Sequence, residues 1–285
     1  MKMRIKAEKI SAAVAQLCIE ANRVLPEDVY TALAKAAETE ESPVGRQMLS
    51  SILENARIAR TEQMPICQDT GMAVVFVELG QELRVEGDLY EAINAGVAKG
   101  YTEGYLRKSV VRHPLDRVNT GDNTPAVVHL RLVPGNKMKI TVAPKGFGSE
   151  NMGGIAMLKP AQGRKGVVDF VTSVVEAAGA NPCPPIIVGV GLGGTMEYAT
   201  FLAKRALLRE VGTPAANPLD RELELEISGE INKLGIGPQG FGGTVTAFAV
   251  HVESYPTHIA GLPVAVNINC HAARHKDIVL EGEEE

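Results

Sequence analysis

The chain has 285 residues, enough for one large domain or two small ones with a substantial core. Apolar residues make up 45% and charged residues 22%; the net charge of −5 is spread along the chain, with no Lys/Arg block or aromatic–basic interleaving to mark a nucleic-acid surface. Apolar runs such as residues 72–77 fall far short of the roughly 20 that span a bilayer, and Met1-Lys2-Met3-Arg4 leads into no apolar signal region, so a cytoplasmic location is expected.

The first sixty residues read as helices. Residues 10–25 are Ala-rich and apolar at helical spacing, and Pro26 breaks the run and can open the next helix. Ser42 before Pro43 reads as an N-cap with Pro at the first helical position, leading into a helix over 44–59. A loop at 65–71 precedes a strand over 72–79 and a helix from Asp88 to about Lys99. Val128, Leu130 and Leu132 then alternate with His129, Arg131 and Val133, and Pro134-Gly135-Asn136 turns the chain into 139–142, which predicts a hairpin. A helix over 167–178, a strand over 185–190, a helix over 195–208 and strands over 244–252 and 263–269 follow. The acidic end, 281–285, reads as a solvated tail. Neither a repeat nor a linker is visible. The expectation is one domain, 1–285, of mixed α/β (α+β) class, with helices around a small central mixed sheet. Its residues 1–60 are helical, and 61–285 carry the binding functions in loops.

Cys67, Cys183 and Cys270 lie 116 and 87 residues apart, in Pro65-Ile66-Cys67-Gln68-Asp69-Thr70-Gly71, Asn181-Pro182-Cys183-Pro184-Pro185 and Asn269-Cys270-His271. In a reducing compartment such cysteines read as thiols or metal ligands rather than disulfides. No CxxC pair is present, which argues against zinc ribbons and ferredoxin-type clusters. Three thiolates from distant loops could instead hold three irons of a [4Fe–4S] cluster. The fourth iron then has no protein ligand and can act as a Lewis acid on a hydroxyl, which loss of water from a 2-hydroxy acid needs. The alternative is that each cysteine is a small buried hydrophobe. Cys18, on a helix among Val14, Leu17 and Ile19, reads that way.

Four strings in series carry a resemblance: the one around Cys67, Asn119-Thr120-Gly121-Asp122-Asn123-Thr124-Pro125, Lys145-Gly146-Phe147-Gly148-Ser149-Glu150-Asn151, and Cys183-Pro184-Pro185. Together they resemble the iron–sulfur hydro-lyases, the class I fumarases with L(+)-tartrate dehydratase as a close relative. The resemblance spans nearly the whole chain and implies that Cys67, Cys183 and Cys270 ligate a [4Fe–4S] cluster with one iron lacking a protein ligand. In that family a second, smaller domain carries a Thr base and further basic residues. This sequence ends at Glu285, fifteen residues past Cys270, so it resembles the α subunit of a split form. A separate β subunit would supply the base and further carboxylate-binding residues, in an α2β2 heterotetramer.

By the same resemblance Gln68 and Asp69 contact substrate, and Asp69 donates a proton to the departing hydroxyl. A carboxylate beside a dianionic substrate favours its protonated form, which suits an acid. Asp69-Thr70-Gly71 could equally make a plain Asx turn. Arg107 matches a carboxylate clamp, for which a planar guanidinium offers bidentate geometry; Lys108 and Arg112 compete for the role. Gly148 matches a backbone contact to substrate, in a glycine-rich turn that could form an anion nest or simply need positive φ. His258 matches a substrate-contacting histidine, with His251 and His271 as rivals. The run Gly189-Val190-Gly191-Leu192-Gly193-Gly194 satisfies GxGxxG but lacks the acidic residue closing a second strand, so nicotinamide binding is set aside and the glycines are expected to pack near the cluster.

The resemblance thus implies reversible hydration of fumarate to L-malate, with Arg107, His258 and the Gly148 backbone orienting a small dicarboxylate. L(+)-tartrate dehydratase and mesaconate hydratase are the same chemistry on substrates differing by one small group, and fumarate is placed first on family breadth alone. A rival of another class is a non-catalytic iron–sulfur sensor or assembly protein. Gln68, Asp69 and Arg107 argue against it, since a sensor needs no carboxylate clamp.

Overall fold

The structure is a computed structural model that describes residues 3–284. In chain order the elements are β1 (Met3–Lys6), α1 (Ala7–Arg23), α2 (Glu27–Thr39), α3 (Pro43–Glu62), β2 (Met72–Gly80), β3 (Leu83–Glu86), α4 (Leu89–Glu103), β4 (Val127–Val133) and β5 (Lys137–Lys145). They continue through α5 (Phe147–Glu150), β6 (Gly154–Leu158), α6 (Gly163–Ala178), β7 (Ile186–Gly193), α7 (Met196–Ala206), α8 (Pro218–Lys233), β8 (Ala247–Tyr255), β9 (Leu262–Asn269), β10 (Lys276–Glu281) and β11 (Glu283–Glu284). The class is mixed α/β, as the sequence predicts, but the strands form three small sheets of 3, 4 and 4 strands rather than one. No helix among the described residues is long and apolar enough to cross a membrane.

The chain forms two compact units, one of residues 3–26, 58–146 and 274–284, the other of residues 27–57 and 147–273. Neither is a continuous stretch of sequence, so no linker composition marks the division.

In the first unit Ile10, Val14, Leu17 and Cys18 recur at helical spacing on α1 and are all buried. They share a core with Ile93, Val97 and Tyr101 of α4, Val75 and Val77 of β2, and Met138, Ile140 and Val142 of β5. Helix α4 is capped by Asp88, whose carboxylate accepts from the Glu91 amide at 2.9 Å. Its Gly100 lets α1 come close: a Cβ there would stand 2.7 Å from the Ala15 carbonyl oxygen and 2.9 Å from Cys18 Cβ. Burial pushes the Cys18 thiol pKa up to about 12, in keeping with a small core side chain.

The four-stranded sheet of this unit runs β10-β5-β2-β4 and corrects the predicted hairpin. Strands β4 and β5 do not pair; β2 lies between them, parallel to β4 and antiparallel to β5. Residues 73–77 of β2 are all buried and take the inner place, whereas β4, with Leu130 and Leu132 exposed, stays at the edge. The turn at 134–136 has the reach to pass the end of β2, since two strand spacings are only about 10 Å. The acidic end is corrected as well. Glu281 ends β10 and meets Lys137 Nζ at 2.6 Å, and β11 pairs with β1 at Met3↔Glu284. Glu285 lies outside the described residues.

In the second unit the sheet runs β6-β9-β7-β8. Val188 and Val190 point into a core with Val171 and Val175 of α6 and Leu223, Ile227 and Ile231 of α8. The alternate residues Gly189 and Gly191 meet α7, where a Cβ would fall 2.2 and 1.9 Å from the carbonyl oxygens of Ala203 and Ala199. The GxGxxG glycines therefore seat a helix on a strand. Their run ends at Gly194, at the opposite end of β7 from Cys183, which corrects the expectation that they pack near a cluster.

Candidate active site

The loop at 65–71 enters β2 of the first unit. Ile66 is buried and its amide donates to the Asn22 carbonyl at 2.8 Å, which turns Cys67 and Asp69 to the half-exposed side and leaves Gln68 exposed. The Cys67 thiol lies 3.3 Å from Gln68 Oε1. Asp69 Oδ1 accepts from the Gly71 amide at 3.0 Å, so the Asx turn is realised. Its Oδ2 lies beside Gly146, where a Cβ would stand 3.2 Å away. Gly71 has φ +74, and a Cβ on it would strike the Lys145 backbone at 2.6 Å, so only glycine fits.

Three consecutive carbonyls of this loop each receive a buried side-chain donor. Arg274 Nη2 donates to the Asp69 carbonyl. Tyr101 Oη donates to those of Thr70 and Gly71, at 2.9 and 3.0 Å. Asn123 Nδ2 donates to Gly71 as well, at 3.1 Å. Asn123 is buried, and its Oδ1 accepts the amides of Ser109 and Val110 at 2.7 and 3.2 Å, while Thr70 Oγ1 donates to the Arg107 carbonyl at 3.1 Å. The Asp69 loop and the Arg107 segment are thus fastened to one another. Burial pushes the Tyr101 phenol pKa up, which keeps it a donor.

Arg107 is exposed, with no side-chain hydrogen bond or ion pair among the described residues, whereas its competitor Arg112 is engaged by Asp116 at 2.5 Å. Lys108 is half-buried. The motif from Asn119 to Pro125 braces this segment: Asn119 Nδ2 donates to the Lys108 carbonyl at 2.9 Å, and Asp122 Oδ1 accepts the Thr124 amide at 2.9 Å.

In the second unit Cys183 is exposed in a turn, with φ 55, a left-handed conformation that costs a non-glycine residue about 1 kcal/mol or more. Its carbonyl accepts the His271 amide at 3.3 Å and lies 3.0 Å from His271 Nδ1. His271 therefore ties the Cys183 turn to the Cys270 segment at the end of β9. Gly148, exposed on α5, lies beside the same turn, and a Cβ on it would stand 3.7 Å from the Asn181 carbonyl oxygen. Neither Gly146 nor Gly148 has positive φ, so the turn does not need glycine for its backbone angles. Helix α5 is anchored by Glu150, which pairs with Lys204 and accepts from Asn267 Nδ2 at 3.0 Å.

The rival histidines separate clearly. His251 is 3% exposed, with Nδ1 at 3.1 Å from the Ala206 carbonyl, and burial holds its pKa down at about 4. His258 is exposed in the β8–β9 connection, where its Nδ1 accepts the Ala260 amide at 3.2 Å. It precedes β9, and Cys270 follows that strand, so the two are separated by its length, roughly 23 Å at about 3.3 Å per residue. The structure does not bring His258 to the Cys183–Cys270 corner of its own unit.

The model of the family described as Fumarate hydratase (Fumerase) matches residues 11–279. The chain belongs to this class I fumarase family of hydro-lyases. A protein of Methanocaldococcus jannaschii named "Putative L(+)-tartrate dehydratase subunit alpha" is 42% identical over 273 residues, covering 93% of this chain and 95% of that protein. The L(+)-tartrate dehydratase subunit alpha of Escherichia coli K12 is 33% identical over 284 residues, covering 96% of this chain and 93% of its own length. The subunit of the same name from Shigella sonnei aligns with the same figures.

The donor set suits the cluster expected of such a hydro-lyase in its chemistry. Cys67 and Cys270 are half-exposed and Cys183 is exposed, in contrast to the buried Cys18. Buried Arg274, beside the Asp69 loop, forms no ion pair among the described residues, so its positive charge suits an anion bound nearby. Cys67 belongs to the first unit and the other two cysteines to the second; among the described residues no group of three or more His, Cys, Asp or Glu side chains stands ready as a metal site.

Proposed function

We propose that the chain is the cluster-bearing α subunit of a two-chain hydro-lyase that removes water from a four-carbon 2-hydroxydicarboxylate, with L(+)-tartrate as the substrate. The relatives named for L(+)-tartrate dehydratase, aligned over 93% or more of this chain, support tartrate over malate and reverse the fumarate-first order inferred from the sequence. Fumarate–malate hydration is the second reading, favoured by the description of the matching family. A cytoplasmic location belongs to the same proposal.

The fastening of the Asp69 loop to the Arg107 segment is the observation that carries the chemistry. It holds the Asp69 carboxyl group, the neighbouring Cys67 thiol and the Arg107 guanidinium in one braced unit. Cys67, Cys183 and Cys270 would hold a [4Fe–4S] cluster. When bound, it supplies an iron with an open position that weakens the C–OH bond as a Lewis acid. Arg107 binds a substrate carboxylate, Gln68 and the Gly148 amide orient the molecule, and Asp69 delivers a proton to the departing hydroxyl. The C–OH bond breaks, the proton on the adjacent carbon passes to a base of the β subunit, and tartrate leaves the enol of oxaloacetate. His258 lies a β-strand's length from Cys270 in its own unit, so it is not assigned to the Cys183–Cys270 end of the site.

The test is an anaerobic assay of the reconstituted chain with its β partner on L(+)-tartrate, malate and mesaconate. Turnover of tartrate at the highest kcat/KM is expected, with negligible turnover by the chain alone. Preference for malate would move the second reading to first, and turnover of none of them would remove the hydro-lyase proposal.

A further inference from the structure

Arg274 lies four residues past Cys270, belongs to the first unit and is only 5% exposed. Its Nη2 donates to the Asp69 carbonyl, while its Nε and Nη1 are buried without hydrogen-bond partners. A guanidinium side chain keeps its positive charge in proteins. A charge buried against one neutral carbonyl is costly, and proteins otherwise pair it. The buried side chains that share its loop do not neutralise it. Tyr101 is an un-ionised phenol committed to the carbonyls of Thr70 and Gly71, and Asn123 is a neutral amide. Among the described residues Arg274 forms no ion pair. The chain by itself therefore holds, directly behind the Cys67–Asp69 loop, a buried positive charge with two unpaired N–H donors and no ion pair among the described residues, the half-exposed Asp69 carboxylate being the acidic group of that loop.

We propose that Arg274 is a positioning residue that fixes the Asp69 carbonyl and supplies the buried countercharge for anions bound in front of that loop. Under the hydro-lyase reading, on which the identity of the anions rests, these are the thiolate-ligated cluster and the dicarboxylate. Being occluded, Arg274 touches neither; its field reaches them through weakly polarisable protein, where a charge is screened far less than in water. The arrangement exchanges stability of the empty chain for affinity toward anions.

That exchange sets the experiment. Arg274→Met removes the charge and keeps most of the side-chain volume, and Arg274→Lys keeps a charge without the planar fork. On the full chain three quantities are compared with the native protein: the melting temperature without metal, the Kd for succinate from the rise in that temperature, and the iron kept after a fixed exposure to chelator. The metal-free Arg274→Met chain is expected to melt no lower than the native one, to bind succinate about tenfold more weakly and to lose iron faster. Arg274→Lys is expected to recover most of the succinate affinity. An Arg274→Met chain that melts well below the native one makes Arg274 a packing residue and overturns the proposal. So does a folded variant with native succinate affinity, or a native chain whose melt ignores succinate. A native chain that binds succinate but no iron sinks the hydro-lyase reading while the countercharge stands.

Discussion

The Thr70 hydroxyl donates to the Arg107 carbonyl across 3.1 Å, so the residue after Asp69 fixes the backbone from which the guanidinium extends. Two substitutions separate the charge from its support. Arg107→Ala removes a charge-assisted contact worth about 1.5–3 kcal/mol, a roughly ten- to hundred-fold loss in kcat/KM carried mainly by KM. Thr70→Val leaves the guanidinium but frees its backbone, and a rise in KM of about two- to tenfold is expected from one neutral hydrogen bond. Steady-state kinetics check both, and a Thr70→Val KM as high as that of Arg107→Ala would contradict this division.

Asp69→Asn should fail in chemistry rather than in binding. An amide cannot deliver the proton, and general acid catalysis contributes about 10²–10⁴-fold, so kcat falls by that order with KM and iron content nearly unchanged. A near-normal kcat would remove Asp69 from the proposed mechanism.

Tyr101→Phe leaves the Thr70 carbonyl without its buried donor and the Gly71 carbonyl with Asn123 alone. The expected cost is about 1–3 kcal/mol of stability, read as a lower urea midpoint at unchanged slope. An unshifted midpoint would mean that the phenol does not brace the loop.

Much of this was legible beforehand, and the gaps have physical causes. Helices α1 and α4 announced themselves by apolar spacing and by Asp88, and the cysteine settings stood out as local strings. Helix α8 did not, although Asn217 caps it and Pro218 opens it; its buried Leu223, Ile227 and Ile231 share the sequence with exposed Leu219 and Leu225, which blurs the stripe. The β4–β5 hairpin failed because alternation reports faces, not neighbours, and β2 comes from 55 residues upstream of β4. Arg274, Tyr101 and Asn123 donate to carbonyls 30 to 205 residues away in the chain, and carbonyls carry no sequence signal. The displacement of His258 from Cys270 was hidden because a twelve-residue spacing looks close until a strand occupies it.

His251 makes stability depend on pH. Burial, with Arg209 adding to it, holds the folded pKa at about 4 against the pull of the Ala206 carbonyl, Glu224 and Asp28. The unfolded chain takes up the proton near the ordinary value of about 6.5, so it binds more protons than the folded one between these limits. The contribution is complete above about pH 6.5 and is lost as pH falls toward 4. His251→Asn should flatten the urea-unfolding profile in that window, and an unchanged slope would place the titration elsewhere.

Iron content of single cysteine variants after anaerobic reconstitution tests the central claim most directly. The native chain should hold about four irons, and Cys67→Ser, Cys183→Ser and Cys270→Ser should each lose the cluster. Cys18→Ser, in the α1–α4 core, should be less stable yet hold the native amount. Native iron in any one of the first three variants, or loss of iron in Cys18→Ser alone, would contradict the three-thiolate site.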